Sequence, residues 1–395
     1  MDGAIPQGFK VAATEAGFKY KDRPDLALIF SETPAVCAAF FTTNLFQAAP
    51  VKAARKNLEQ SSGIRAILVN SGQANACTGN TGTDNCLKTL DLLSDLLGIE
   101  PFEVIPASTG VIGDQLNMEL FEKALPRLVD NLGLSTGKDA ARAIMTTDTF
   151  PKTASCETEL GSGRVSFFGM AKGAGMICPD MATMLGFILT DLKIDQTLWK
   201  QLMTDAVDKS FNALTIDGDT STNDCVVALA SGQSKVEIQD KEDLEKITKA
   251  LQKICAQLSY QIVRDAEGGT RVLRIKIKGA KDKTQARMAA DAVGNSPLVK
   301  TAMYGQDPNW GRIVAALGRS KAEFDPDRIT VTLAGVKIFS SGRPLEMDRD
   351  KVFKPLLQKP DIDISVDLGE GGGCHTLLAS DLTEEYIRIN AHYRT

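Results

Sequence analysis

Two segments of this chain alternate strictly between apolar and polar residues, and that pattern limits the folds open to it. Over 271–278, Leu273, Ile275 and Ile277 alternate with Arg274, Lys276 and Lys278; over 361–368, Ile362, Ile364, Val366 and Leu368 alternate with Asp361, Asp363, Ser365 and Asp367. Successive side chains of a strand point to opposite faces, so each segment reads as a strand with one face in a core and one in water. Ile329, Val331 and Leu333 repeat the pattern over 329–333, and 386–390 reads the same way. Ala66-Ile67-Leu68-Val69 is continuously apolar, as in a strand buried on both faces. Helical spacing is equally clear. Leu244, Ile247, Leu251, Ile254 and Leu258 predict a helix over 240–262, with Asp240 as its cap. The stretches 86–98, 117–132, 136–147, 196–211 and 284–292 are also predicted helical. Strands and helices mix in both halves, which implies an α/β (α+β) architecture of layered sheets covered by helices. The segments 279–284 and 318–328 are polar enough for surface loops. No internal repeat or low-complexity tract interrupts the chain.

Composition excludes several functions. The net charge of -5 argues against broad nucleic-acid binding, which needs a basic face. No apolar run approaches the roughly 20 residues of a membrane helix, and MDGAIPQGFK lacks the segments of a signal peptide. The cysteines at 37, 77, 86, 156, 178, 225, 255 and 374 form no C-x-x-C pair, which removes zinc-ribbon and thioredoxin-type motifs. Scattered thiols in a chain this long read as buried small hydrophobes in a reducing cytosol, so a cytoplasmic location is expected. The only histidines are His375 and His392. Histidine is the usual general base near neutral pH. A nucleophile in the earlier part of the chain therefore needs another base, or a fold that brings these two back to it.

The most informative stretch is 169–191, GMAKGAGMICPDMATMLGFILTD. Gly169, Gly173 and Gly175 precede the apolar run Met184-Leu185-Gly186-Phe187-Ile188-Leu189. A phosphate loop would need G-x-x-x-x-G-K-[ST], which is absent; Gly137-Lys138 is followed by Asp139 and fails as well. The plain reading is a tight turn feeding a core strand. It leaves unexplained a hydroxyl, Thr183, beside the small Ala182 at the start of that strand, although a lone threonine there is ordinarily a β-former.

The segment Lys172-Gly173-Ala174-Gly175-Met176-Ile177, followed by Pro179-Asp180-Met181-Ala182-Thr183-Met184-Leu185, resembles the signature of the ornithine acetyltransferase family, also called glutamate N-acetyltransferases. The family usually has Asn where this chain has Asp180. Other segments match in order: Asn70–Ala76, Ser108–Gly113, Met145–Thr149, Phe211-Asn212, Asp217–Asp224, Arg264–Thr270, Asp307–Arg312 and the tail Ile387–Thr395. The stretch Leu377–Asp381 departs, since the family more often has Trp and Cys before the Asp. The resemblance covers nearly the whole chain. It implies an α-β-β-α sandwich of the type shared with the self-processing aminopeptidase DmpA. It also implies cleavage into an α chain, 1–182, and a β chain, 183–395, assembled as α2β2.

The implied chemistry suits the residues. A threonine hydroxyl is a weak nucleophile until a base takes its proton. Once Thr183 is an N-terminus, its own α-amine, of pKa roughly 7.7–8, supplies that base, which fits the scarcity of histidine. The resemblance assigns Thr109 and Gly110, in a loop read as a helix entry, to the oxyanion hole. Read alone, Ser-Thr-Gly is an ordinary cap or turn. It assigns substrate contacts to Thr146, Thr147, Lys172, Thr183, Glu267, Asn390 and Thr395. Glu267 would either hold the ornithine ammonium group or tune the Thr183 amine. The substrates implied are N-acetylornithine and glutamate, with acetyl-CoA as a further donor in some members. Exchange of one amide for another needs no metal, nucleotide or other cofactor. The rival reading is a self-cleaving amidase or aminopeptidase that gives its acyl group to water. A small-molecule binding protein with a structural Thr183 would stay one chain.

Overall fold

The computed structural model describes residues 4–178 and 184–392. Eight strands form the first sheet: β1 (Phe9–Thr14), β2 (Leu26–Phe41), β3 (Ile64–Gln73), β4 (Val104–Val111), β5 (Lys152–Leu160), β6 (Gly163–Lys172), β7 (Leu185–Thr190) and β9 (Cys225–Ala230). Their order is β4-β3-β2-β9-β7-β6-β5, with β1 on β2. The 16-residue β2 organises this sheet. Its first part pairs with β1 and β3, its last part with β9, and its register shifts between Phe30 and Ala35. A shift of this kind bends a strand, and here the two halves of the sheet face each other.

Side-chain alternation then sorts the chain into layers. Ala27 and Ile29 of β2 and Ile67 and Val69 of β3 meet Cys37 of β2, Phe168 and Met170 of β6, Phe187 of β7 and Val227 of β9 in a core between the half-sheets. On the outer face of the first half, Leu26, Leu28, Ala66 and Leu68 pack on helices α2 (Gly79–Leu97) and α3 (Met118–Asp130) through Leu90, Leu93, Phe121 and Leu125. On the outer face of the second, Ala38, Phe167, Ile188 and Val226 pack on α5 (Gln196–Asp208) and α6 (Lys241–Arg264) through Trp199, Met203, Ile254 and Leu258. The order of layers is α-β-β-α. Burial of each large side chain contributes about 1.5–3 kcal/mol. Helices α1 (Ala49–Gln60) and α4 (Gly137–Ala143) close the edges of the inner core through Val51, Ala54, Ala140 and Ala141.

The second sheet has seven strands: β8 (Leu214–Thr215), β10 (Val272–Ala280), β11 (Thr330–Leu333), β12 (Val336–Ser340), β13 (Arg343–Pro344), β14 (Asp361–Asp367) and β15 (Gly373–Ser380), in the order β13-β12-β11-β14-β10-β15-β8. The alternation in 271–278 and 361–368 is its physical basis. The apolar set packs on α7 (Lys283–Gly294), α8 (Pro297–Tyr304), α9 (Trp310–Gly318) and α10 (Arg349–Leu357), while Arg274, Lys276, Lys278, Asp361 and Asp363 face water. Asp240 caps α6 by accepting from Asp243 N–H. Among the described residues no helix is long and apolar enough to cross a membrane.

Three expectations are corrected. Residues 386–390 lie in a helix, α11 (Glu384–His392), not a strand. Tyr386, Ile389 and Asn390 share one side of that helix, whereas Ile387 is 64% exposed; a five-residue window is too short to separate the two periods. The helix expected over 136–147 stops at Ala143, which leaves 145–149 as a loop. Not all thiols are buried small hydrophobes: Cys37, Cys86, Cys225 and Cys255 are, but Cys77 and Cys374 are exposed.

Candidate active site

A cavity of about 330 Å³ opens where the parallel strands β3 and β4 end beside β6, the 217–223 loop and α11. Its size suits an amino acid. Every candidate among the described residues lines it: Thr109, Gly110, Thr146, Thr147, Lys172, Glu267 and Asn390. Ala182, Thr183 and Thr395 lie outside the described residues. The flanks of 179–183 are anchored beside the cavity. Ile177 C=O accepts from Ile216 N–H at 2.8 Å, Met184 C=O accepts from Cys225 N–H at 3.1 Å, and Gly175 and Met176 are part of the lining.

Thr109 and Gly110 end strand β4 rather than entering a helix. Gly110 sits opposite Gly72 of β3 with φ +130°. A Cβ there would lie 2.2 Å from the Gly72 carbonyl carbon, so only glycine allows the two backbones this close. Asn223 ties these strand ends together: its amide donates to Ala74 C=O, just after β3, at 2.6 Å and to Ser108 C=O of β4 at 2.8 Å.

Lys172 closes strand β6, is only 5% exposed, and donates from Nζ to Thr109 Oγ1 at 3.2 Å. Burial pushes its pKa down; Asp148, Asp224 and Glu267 oppose that shift and Lys152 adds to it. Asp148 accepts from Gly173 N–H at 2.7 Å, from Thr146 N–H at 3.0 Å and from Lys152 Nζ at 2.6 Å. Lys152 also donates to Asp265 at 2.5 Å, and Asp265 accepts from Thr149 N–H and Oγ1. Burial alone would raise the Asp148 pKa, but Lys152, Lys172 and the Gly173 N–H outweigh it and hold the carboxyl at about 2. The sequence pointed to Thr146 and Thr147 but missed Asp148, Lys152 and Asp265. A lysine buried from 152 onto an aspartate at 265 leaves no local pattern, although the Asp in Met145–Thr149 was visible.

The carboxylates Asp217, Asp219 and Glu267 share the lining. Glu267 lies against Gly175, where a Cβ would come within 2.5 Å of its Oε2, and it accepts from Asn390 Nδ2 at 2.9 Å. Asp217 accepts from Met176 N–H at 2.6 Å, from Ile177 N–H at 2.8 Å and from the Tyr386 hydroxyl at 3.2 Å. Burial raises the Asp217 pKa against these bonds, and burial with Asp217 beside it raises that of Tyr386. A lysine and carboxylates in one cavity match a ligand carrying both charges. Among the described residues no three His, Cys, Asp or Glu side chains are grouped to hold a metal ion.

The fold and the cavity define a layered α-β-β-α protein with a small pocket lined by charged and polar residues. The model of the ArgJ family matches residues 10–395, and the chain belongs to that family. It is 53% identical over 392 residues to the arginine biosynthesis bifunctional protein ArgJ of Nitratidesulfovibrio vulgaris, covering 99% of this chain and 100% of that one. It is 43% identical to the protein of the same name from Synechocystis, covering 99% and 97%. A crystal structure of the ArgJ protein of Bacillus halodurans is 38% identical with a TM-score of 0.52, and the match covers 53% of this chain and 100% of that one.

Proposed function

We propose that this chain cuts itself between Ala182 and Thr183 and that the freed Thr183 carries acetyl from N2-acetyl-L-ornithine to L-glutamate. The products are L-ornithine and N-acetyl-L-glutamate, a step of arginine biosynthesis in the cytoplasm. The observation that carries this reading is the convergence of Thr109, Gly110, Lys172, Glu267 and Asn390 on one amino-acid-sized cavity. Leu185, two residues after Thr183, pairs with Lys172 in the β6–β7 ladder, which supports a nucleophile entering that cavity.

In the precursor the Thr183 hydroxyl attacks the Ala182 carbonyl, and water opens the resulting ester. This leaves 1–182 and 183–395 as two associated chains, and two such pairs form α2β2. The crystallised Bacillus halodurans chain matches just over half of this one along its whole length, as cleavage near the middle would leave. In the first half-reaction the Thr183 amine takes the hydroxyl proton and Oγ attacks the acetyl carbonyl. Thr109 Oγ–H and Gly110 N–H stabilise the oxyanion; each such donor is worth about 2.7–4 kcal/mol. The amine returns the proton to the departing ornithine nitrogen. Glutamate then enters with its amine neutral, attacks the acetyl-threonine and loses a proton as Oγ–H re-forms. Lys172 holds substrate carboxylate, Glu267 and Asn390 hold the cationic end, and Thr146 or Thr147 completes the contacts. Acetyl-CoA is a second donor, in keeping with the bifunctional relatives.

Initial velocities with both substrates varied test the scheme. Parallel double-reciprocal lines are expected of a two-step transfer. Intersecting lines would rule out the acetyl-enzyme. The amidase alternative requires acetate release without glutamate.

A further inference from the structure

We infer that Asp148 is a positioning residue of the acyl transfer, holding the Lys172 ammonium group on the Thr109 hydroxyl so that Thr109 is left to donate its own proton to the oxyanion. This deepens the proposed function and rests on its placing Thr109 in the oxyanion hole.

The geometry has three parts. Lys172 Nζ donates to Thr109 Oγ1, and a hydroxyl that accepts from a cation has its one proton free and becomes a stronger donor. Asp148 then bonds two segments of the cavity wall: its Oδ1 takes the N–H of Gly173, the residue after Lys172, and its Oδ2 takes the N–H of Thr146 in the 145–149 loop. Third, the carboxylate is itself fixed from behind by Lys152, which is 0% exposed and shared with Asp265 on the 265–269 turn that carries Glu267. Opposite charges buried this fully are costly unless paired and hydrogen-bonded, and here they join three segments of the cavity wall. An apolar residue at 148 would satisfy neither N–H.

Asp148 also acts on the charge of Lys172. Among the described residues, the ionisable groups acting on Lys172 are Asp148, Lys152, Asp224 and Glu267. Burial favours neutral lysine, and neutral lysine would lose its grip on the Thr109 hydroxyl. The negative Asp148 opposes that loss, and the positive Lys152 promotes it. Removing either neighbour therefore moves the alkaline limb of activity in opposite directions, an outcome that loosened packing would not produce.

The test uses the self-processed enzyme with N-acetylornithine and glutamate. D148N is expected to lower kcat about tenfold or more, to change KM less, and to move the alkaline limb to lower pH. K152M is expected to move that limb to higher pH. In a T109A background, D148N should cost less than about twofold in kcat, because residues acting through one another are not additive. Equal costs in both backgrounds, or a limb that stays fixed in whichever variant folds, overturns the inference. Acetylation of wild-type Thr183 by N-acetylornithine, read by intact mass, separates the two readings. Its absence sinks the proposed function itself, whereas its presence with unmoved variant profiles sinks only the role of Asp148.

Discussion

Replacing Gly110 by alanine examines the closest backbone approach in the cavity. The new Cβ would sit 2.2 Å from Gly72 C, 2.5 Å from Gly72 O and 2.6 Å from Gln73 N. All three are backbone atoms, so no rotamer relieves the clash, and ordinary contact requires the β3 and β4 ends to part by more than about 1 Å. The φ of +130° adds about 1–3 kcal/mol of strain for a residue with a side chain. Loss of one or two ladder hydrogen bonds adds about 0.5–1.5 kcal/mol each. The expected destabilisation is about 2–5 kcal/mol on these terms. Displacing the Gly110 N–H and Thr109 together should lower kcat by about 10²–10³-fold. Gly113 supplies the control, since it also has positive φ, +92°, but a Cβ there meets nothing within 4 Å. G113A should lose only the strain term and keep its activity within a few-fold. Urea midpoints and kcat of both variants give the answer. G110A as stable and as active as G113A would refute the claim that this contact shapes the site.

Asn223→Ala leaves the Ala74 and Ser108 carbonyls without their donor and should destabilise by about 2–4 kcal/mol, seen as a lowered urea midpoint. Glu267→Gln removes the charge beside Asn390 and should raise KM for N-acetylornithine by about 10–100-fold; an unchanged KM with a shifted acid limb would instead assign Glu267 to the Thr183 amine. Acid should destabilise the fold in two windows. His375 is buried with its pKa lowered to about 4 by burial first, then by Arg287 and Lys283, so the unfolded chain takes up a proton first and stability falls between about pH 6.5 and 4. H375Q should flatten that window in urea titrations. Asp148, held at about 2, contributes stability that is complete above its unfolded value of 3.8 and is lost as pH falls toward 2. D148N should abolish that second loss.

Strands were legible in 271–278 and 361–368, where one face is wet, because alternation records exposure directly; β5 and β15 also have a wet face and were not read. Most helices of ten or more residues were legible from their spacing, and Asp240 marked its cap correctly; α1 was not read, because its buried face is built from Ala53, Ala54 and Asn57 rather than a strong apolar stripe. The inner core was harder to read. Strands β6, β7 and β9 are covered on both faces, so their sequences carry no period, and the bend in β2 follows from a register shift that only pairing reveals. At the site, local motifs named the residues that meet at the cavity, but not why they meet. Lys152 and Asp265 join segments 113 residues apart, and Asp217 reaches Tyr386 across 169. Such contacts depend on the layers, not on neighbours in the chain. The α11 segment misled because Ile387 and Ile389 alternate over too few residues to distinguish a strand from the helix that carries Asn390.

Whether Thr183 becomes an N-terminus and carries acetyl is measured directly by denaturing intact mass. Two chains are expected, 1–182 and 183–395, with one acetyl group added to the second by N-acetylornithine and removed by glutamate. A single uncut chain that still transfers acetyl, or a cut enzyme that turns over without acetyl appearing on the chain that begins at Thr183, would contradict that expectation.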